Sequence, residues 1–241
     1  IRGGTCVTAA DTFRADVAVR DGRIVATGEN LGTAAKVIDA TGLLVMPGGI
    51  DSHVHLAQYA PPGAPQMADG FETGTRSAIA GGTTTVLSFA VQPRGAGLRE
   101  SVLDYHTKAD GQAYCDYGFH LIITDPTPNV LGQELPALVE DGYTSFKVFM
   151  TYDDMVLDDR QLLDVFDCAR GCGALVMVHC EGYDAIRYMT EKLERAGKTA
   201  PYYHGASRPQ VVEREAAHRA ISHAELVDVP IMIVHVSDRK S

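Results

Sequence analysis

The sequence has 241 residues, is 45% hydrophobic and 22% charged, and carries 31 acidic against 21 basic residues, for a formal charge of −10. This composition is that of a globular protein, and its negative charge argues against nucleic acid or an anionic membrane as the main partner. The five cysteines lack the spacing of a zinc module or a disulfide scaffold, so we expect reduced thiols in a cytoplasmic protein. No run of about 18 apolar residues occurs, so no membrane span is expected.

Short strands joined by turns are predicted for residues 1–46. The stretch "ADVAVRDGRIVATG" alternates apolar and polar residues on either side of Asp21-Gly22, a dipeptide typical of a tight hairpin turn. These residues are expected to form a small β unit without chemistry of its own.

Six apolar runs rich in β-branched or aromatic residues follow, with helical stretches between them. Most runs lack alternation of polar and apolar residues, as expected of parallel strands buried on both faces. Strand and helix alternate in units of roughly 30 residues, which predicts a parallel sheet with right-handed crossovers. Both a doubly wound sheet and a (β/α)8 barrel fit this alternation, although "PGGIDSH" lacks the spacing of a dinucleotide-binding loop. The six runs are "LLVMPGGI", "TTTVLSFA", "YGFHLIIT", "TSFKVFM", "ALVMVHC" and "VPIMIVHV".

The last long helical stretch is "SRPQVVEREAAHRAISHAEL". It begins with Ser207, and serine is a preferred residue at the N-cap of a helix. We therefore expect Ser207 to cap this helix.

Four of the nine histidines fall at the C-terminal ends of predicted strands. His53 and His55 flank a valine at the end of the first run, and alternate residues of a strand share one face. His179 ends the fifth run and His235 the sixth. Because these ends face the active site in parallel β/α folds, the four imidazoles are expected to converge. Helix surfaces, loops or strand interiors are expected for the others: His106, His120, His204, His218 and His223.

Lys147 lies between Phe146 and Val148 in a run expected to be buried. A charged amine is costly there unless it is paired, and a salt bridge to a carboxylate is one interpretation. The other is that burial lowers the pKa of the amine, which leaves it neutral and reactive toward carbon dioxide. The resulting carbamate could bridge two cations, and neutral imidazoles around it would complete a site for two zinc ions.

As an ordered set, "PGGIDSHVHL", the strand-borne lysine of "SFKVFMTY", "VHCEG" and "IVHVS" resemble the amidohydrolase superfamily. The likeness is strongest to its D-hydantoinase/dihydropyrimidinase branch and extends along essentially the whole chain. It implies a (β/α)8 TIM-like barrel over residues 47–241, with six of its eight strands present and an apparent truncation at the C-terminus. It also implies that residues 1–46 are the N-terminal part of a small β-sandwich domain.

The resemblance implies two Zn²⁺ ions per subunit. In that arrangement His53 and His55 bind one metal, and His179 and His235 bind the second. N6-carboxylated Lys147 bridges both ions. The resemblance also implies an aspartate after the eighth strand that binds the first metal and transfers the proton. Both ends of the chain look cut, and this residue is expected beyond Ser241.

The activity implied by the resemblance is hydrolysis of a cyclic amide. A hydroxide held between the metals would open a hydantoin or dihydropyrimidine ring to an N-carbamoyl amino acid. Tyr152 would donate a hydrogen bond to the developing oxyanion, unless it is an ordinary loop aromatic. Ala57 stands where dihydroorotase-type relatives carry an arginine, so a carboxylated substrate is not favoured.

Two loops are expected at the mouth of this site. The apolar patch after Tyr152 includes Met155 and Leu157, which would contact a ring substituent, although packing beneath the loop fits equally well. The Pro/Gly-rich residues 59–70 could line the same mouth.

Other readings of the family resemblance stay open. An allantoinase-like cyclic amidohydrolase is the nearest rival, and a non-catalytic dihydropyrimidinase-related scaffold is a second. Retention of the four histidines and Lys147 argues against the scaffold. The family also implies a homo-oligomer, a dimer or a tetramer, whose partner molecule is a small cyclic amide.

Overall fold

The computed structural model describes residues 1–58 and 65–241. They separate into two compact units, Ile1–Gly49 and Ile50–Ser241. No helix within the described ranges combines the length and the apolar character needed to cross a bilayer.

The N-terminal unit contains five short strands in two small sheets. In the first sheet β1 pairs antiparallel with β2 and parallel with β5. The second is a β3–β4 hairpin whose turn residues Asp21 and Gly22 have φ of 49° and 72°, which confirms the predicted hairpin. The sandwich arrangement stays a prediction. The strands are β1 Thr5–Val7, β2 Thr12–Arg14, β3 Asp16–Arg20, β4 Arg23–Gly28 and β5 Leu44–Val45.

The second unit is built on a six-stranded sheet whose order, β11-β10-β9-β8-β7-β6, follows the chain. Neighbours from β7 to β11 are parallel. Because each strand is added beside its predecessor, the order lacks the reversal that defines a doubly wound sheet. The sheet is thus a parallel half-barrel; closure by two more strands stays a prediction. Its strands are β6 Gly49–Asp51, β7 Thr83–Val91, β8 Asp116–Ile122, β9 Ser145–Phe149, β10 Leu175–His179 and β11 Ile231–Ile233.

The first apolar run proved to be two strands. Leu44–Val45 belongs to the N-terminal sheet as β5, and Gly49–Asp51 forms β6 in the large sheet. Pro47 lies between them; it has no N–H for a ladder, which favours a break at this point.

Helices connect the strands of the sheet. The fourth, α4, shows why they form where they do: Asp158 and Gln161 make a reciprocal capping box, and Gly173 ends the helix with φ 72°, as expected of an αL cap. The Leu162 and Phe166 side chains of its apolar stripe are fully buried. The helices are α1 Phe71–Ala80, α2 Leu98–Ala109, α3 Leu135–Glu140 (preceded by a π-helical turn, Val130–Glu134), α4 Asp159–Cys172, α5 Tyr183–Arg195, α6 Tyr202–Ala206 and α7 Gln210–Val227.

The expected cap at Ser207 was wrong. The helix α7 begins at Gln210 after Pro209, and the Ser207 hydroxyl instead donates to the His204 carbonyl at 2.7 Å, at the end of α6. The cause is local: the residue before a proline is disfavoured in helical conformation, so the helix starts after Pro209.

Candidate active site

The first histidine pair follows β6 rather than lying within it. Since β6 ends at Asp51, the expectation that strand alternation aligns His53 and His55 was wrong. The Asp51 carboxylate accepts the His53 backbone N–H at 3.0 Å, a local bond that competes with strand pairing. The two rings nevertheless lie close together, with centroids 5.5 Å apart, and the Phe89 ring contacts both, at 4.7 Å and 4.5 Å.

The second pair lies beside the first. His179 is the last residue of β10, and His235 follows β11 with a positive φ of 40°. Their ring centroids are 4.6 Å apart, and the His235 and His53 centroids are 5.5 Å apart. The four imidazoles therefore form one continuous chain, in the order His55, His53, His235 and His179.

Lys147 lies in the middle of the sheet beneath these rings. It is 1% exposed, and its Nζ atom is 5.0 Å from the Phe149 ring centroid and 5.8 Å from that of Phe89. Among the described residues, Nζ has no hydrogen-bond partner and no carboxylate within ion-pair distance. The salt-bridge interpretation therefore finds no partner in this part of the chain. Burial lowers the pKa of the Lys147 amine to about 8, which favours the neutral form.

Burial also favours the neutral form of three of the histidines, His53, His55 and His235. It lowers the pKa of His53 to about 4, with a further contribution from the nearby Lys147 charge. Burial is the main cause of the lowered pKa values of His55 and His235 as well. At neutral pH these imidazoles are unprotonated, which is the form that binds metal ions.

The donor set fits a pair of metal ions. Within residues 1–58 and 65–241 no three His, Cys, Asp or Glu side chains form a group suited to one ion. A site with two histidines for each ion and a carboxylated lysine between the ions would not need such a group of three. His179 Nδ1 and His235 Nε2 are 3.2 Å apart, close to the roughly 3.3 Å between two nitrogen ligands of tetrahedral zinc. His55 Nδ1, like Lys147 Nζ, is buried without a hydrogen-bond partner in the described part of the chain.

Tyr152 lies at the edge of this cluster, just beyond β9. Its ring centroid is 5.2 Å from that of His179, and its φ of 72° is unusual for a residue with a side chain. Its carbonyl accepts the N–H groups of Met155 and Val156 at 3.0 Å and 2.8 Å, so the turn is held by backbone bonds. Burial raises the pKa of the Tyr152 phenol, which keeps it a hydrogen-bond donor at neutral pH.

Two site residues were missed by the sequence reasoning. The Glu181 carboxylate accepts a hydrogen bond from His179 Nε2 at 2.8 Å and pairs with Arg208 at 3.1 Å. This contact directs His179 Nδ1 toward His235, in the way carboxylates orient metal-binding histidines. The Arg208 guanidinium lies over the Tyr152 ring, 5.6 Å from its centroid. The spacing of Glu181 from His179 in "VHCEG" could have indicated the carboxylate, but no sequence signal marks Arg208.

A cavity of about 910 Å³ opens over the cluster and includes His55, Lys147, His179 and His235 in its lining. Met155 also lines it, as does Met67 from the Pro/Gly-rich loop, of which residues 59–64 lie outside the described ranges. Leu157 does not line it: this side chain is 3% exposed and belongs to the core. Of the two roles expected for Leu157, contact with the substrate or packing beneath the loop, its position fits packing.

Two aspartates near the histidines are engaged in other contacts. Asp51 accepts the His53 N–H, and Asp238 is buried in an ion pair with Arg214 at 2.6 Å. Neither carboxylate was assigned to the site from the sequence, and both have structural partners.

Comparison with known proteins shows the family to which the chain belongs. A model of the amidohydrolase family matches residues 44–213. The chain is 47% identical to a D-hydantoinase of Ralstonia pickettii and 38% identical to a dihydropyrimidinase of Rattus norvegicus; both alignments cover 100% of the chain, and 52% and 47% of those proteins. A solved D-hydantoinase structure superposes with a TM-score of 0.95 at 46% identity, covering 100% of this chain and 52% of that one. The chain thus spans about half the length of the relatives it matches.

Proposed function

Because the chain belongs to the amidohydrolase family, we propose that it provides the metal-binding half of a hydrolase that opens cyclic amides. The substrates would be hydantoins or dihydropyrimidines, and the products N-carbamoyl amino acids. The observation that carries the proposal is the buried Lys147 amine, which has no hydrogen-bond partner among the described residues and lies beneath a chain of four imidazoles. The similarity to proteins named D-hydantoinase and dihydropyrimidinase supports the choice of substrate class.

The proposed cofactor is a pair of zinc ions. His53 and His55 would hold one ion, His179 and His235 the other, and carboxylated Lys147 would lie between them. When bound, such a pair supplies Lewis-acid polarisation of a carbonyl and activation of water at neutral pH. The protein's own contribution is to lower the pKa values of His53, His55 and His235 by burial, so that protons compete less for these ligand nitrogens.

Tyr152 would act on the substrate directly. Its phenol stands beside the second histidine pair, where it can donate a hydrogen bond to an oxygen that gains negative charge as the amide is attacked. One such donor is typically worth about 3–4 kcal/mol in the transition state. Arg208, held by Glu181, lies across the ring and limits its movement.

The cavity favours an uncharged ring with an apolar substituent. Met155 and Phe149 line the wall beside Tyr152, and Ala57 offers no cation for a substrate carboxylate. We therefore propose that hydantoins with an apolar side group are better substrates than ring acids such as dihydroorotate. Side chains of α5 also line the cavity, and they would contact the far end of that group.

A substrate panel tests the proposed activity. The complete hydrolase, of which this chain is proposed to be the metal-binding half, is purified, loaded with zinc and assayed against hydantoin, a 5-aryl hydantoin, dihydrouracil, allantoin and dihydroorotate. The proposal expects N-carbamoyl products from the first three and little from dihydroorotate. Preference for allantoin would favour the allantoinase-like reading, and full zinc loading without turnover of any ring would contradict the proposal.

Metal content alone distinguishes the proposed enzyme from a non-catalytic scaffold, because a scaffold does not need to bind metal. Fewer than one zinc ion per chain would favour it. A dimer or tetramer and a cytoplasmic location stay predictions.

A further inference from the structure

The segment that carries the first histidine pair lacks support from a regular ladder. β6 ends at Asp51, and from Ser52 onward separate hydrogen bonds, rather than continuous strand pairing, hold the backbone. Val54 N–H donates to the Leu87 carbonyl at 3.3 Å, and Leu56 N–H donates to the Ser88 hydroxyl at 3.2 Å. Because side chains contribute to the support, the position of this segment depends on particular residues elsewhere in the sequence.

The peptide bond that precedes His53 is held at both of its polar ends. The Asp51 carboxylate accepts its N–H at 3.0 Å, and His120 Nε2 donates to its carbonyl, that of Ser52, at 2.9 Å. A peptide unit is planar, so two such bonds fix the plane and thereby restrict the direction in which the His53 side chain leaves the backbone.

His120 is itself held rigidly. It is 7% exposed within β8, and its Nδ1 atom lies 2.6 Å from the Ser145 hydroxyl. Since a carbonyl can only accept, Nε2 carries the proton, and Nδ1 of the neutral ring then accepts from Ser145. Its ring also packs on Phe89, with centroids 5.1 Å apart, and Phe89 contacts both histidines of the first pair.

Ser145 connects this arrangement to the lysine. It begins β9 and stands two residues before Lys147, so the two side chains leave the same face of the strand. A chain of hydrogen bonds thus runs from β9 through His120 to the peptide of His53. It links the backbone of the first histidine pair to the strand that bears the lysine.

We infer that His120 is a positioning residue that fixes the His53–His55 segment relative to Lys147 through its bonds to Ser52 and Ser145. The inference rests on the proposed function insofar as the segment binds metal. The geometric part, that His120 immobilises residues 52–56, stands without any metal and can be measured separately.

The test compares three variants with wild type. His120→Phe keeps a ring against Phe89 but removes both hydrogen bonds; His120→Gln retains a donor near the Nε2 position; Ser145→Ala removes only the partner of Nδ1. We expect zinc affinity to fall 10- to 100-fold in His120→Phe, as for other residues that orient ligands. His120→Gln should recover most of the loss, and Ser145→Ala should show a smaller one.

His106→Phe is the matched control. His106 is also bonded at both ring nitrogens, to Tyr143 at 2.7 Å and to Tyr117 at 3.4 Å, and packs on Phe119. Its removal should lower the melting temperature without changing zinc affinity. An equal loss of zinc affinity in His106→Phe, or zinc affinity in His120→Phe within twofold of wild type, would overturn the inference.

Hydrogen exchange in metal-free protein separates this inference from the proposed function. Amides of residues 53–56 should exchange at least tenfold faster in His120→Phe, and in Ser145→Ala to a lesser degree, than in wild type. If the wild type binds no zinc but this difference is found, the proposed function fails and the positioning role survives. Unchanged exchange in a zinc-binding protein contradicts the positioning role alone.

Discussion

Lys147 and His53 belong to one cluster, but the protein holds them by different means. Lys147 pairs with Met177 on one side and with Ile122 on the other, and its carbonyl accepts the Ile123 N–H at 3.0 Å. The peptide before His53 is held by the side chains of Asp51 and His120 instead. Backbone pairing between strands does not depend on which side chains the strands carry. Hydrogen bonds from side chains to the backbone, by contrast, require particular residues at remote positions of the sequence.

The comparison predicts which changes the fold tolerates. A substitution of a residue in a paired strand should remove the function of its side chain and leave the backbone in place, because the neighbouring strands still hold the backbone. A substitution in the side-chain support should move the backbone and weaken the chemistry indirectly.

Replacing Lys147 by methionine should lower the rate of hydantoin hydrolysis by a factor on the order of 10³ or more, because the bridging group of the proposed metal pair is lost. The same change should raise the free energy of unfolding of metal-free protein by about 1–3 kcal/mol, since it replaces a buried amine that has no partner in the described part of the chain by an apolar side chain. Urea unfolding and hydantoin turnover measure the two effects.

Lys108→Met is the control for that substitution. Lys108 makes a surface ion pair with Asp104 at 2.6 Å on α2, and its replacement should change neither turnover nor stability by much. If Lys147→Met destabilises the metal-free protein, the Lys147 amine has a stabilising partner and our view of the buried site is wrong.

Tyr152→Phe should lower kcat by roughly 10²–10³, the effect of removing one oxyanion donor, while zinc content stays unchanged. The positive φ of Tyr152 is retained because phenylalanine differs only in the hydroxyl. Steady-state kinetics with a 5-aryl hydantoin measures the effect, with Tyr202→Phe, at an exposed position, as the control. A kcat within threefold of wild type would refute the donor role.

The same distinction explains which residues of the site could be predicted from the sequence. The strand ends and the buried lysine follow from apolar runs and from the rule that parallel strands present their C-terminal ends together, so Lys147 and His179 could be predicted. The role of His120 could not be predicted. The sequence of a strand does not show whether its histidine packs in the core or holds another segment by hydrogen bonds, and the partner Ser52 lies 68 residues away. The irregular path of His53 was missed for a related reason, since the Asp51 bond that ends β6 carries no periodic signal.

Acid should destabilise the metal-free protein through the histidine cluster. The pKa of His53 is about 4 in the folded state and near 6.5 in an unfolded chain, so between these values the unfolded state binds more protons. Lowering the pH from 6.5 to 4 should therefore reduce the free energy of unfolding, by up to about 1.4 kcal/mol per pH unit and proton. Above pH 6.5 this contribution is fully present and constant.

Urea unfolding of metal-free wild type and His53→Asn across pH 7 to 4.5 measures that contribution as a difference in slope. Carboxylates titrate equally in both proteins and cancel. The variant should lose stability less steeply, and His218→Asn, at an exposed position on α7, should match wild type. Parallel curves for wild type and His53→Asn would show that His53 does not titrate abnormally.

The loop after Tyr152 combines both kinds of support: backbone bonds to the Tyr152 carbonyl and hydrogen bonds from a remote side chain. Arg94 donates to the carbonyls of Asp154 and Val156, at 3.2 Å and 2.9 Å, on either side of Met155. Arg94→Ala should raise KM for a 5-aryl hydantoin roughly three- to tenfold, the value of one or two hydrogen bonds, and leave unsubstituted hydantoin unaffected. Arg99→Ala, which removes a surface ion pair with Asp141, is the control; equal KM changes for both rings would contradict a role in holding the substituent wall.

The most direct test of the account is the amount of zinc bound per chain. Wild type and Lys147→Met are dialysed side by side against the same zinc solution in bicarbonate buffer, and metal is measured after gel filtration. We predict two ions per chain in wild type and fewer than one in Lys147→Met. Two ions in both proteins, or fewer than one in wild type, would contradict a metal pair built around the carboxylated lysine.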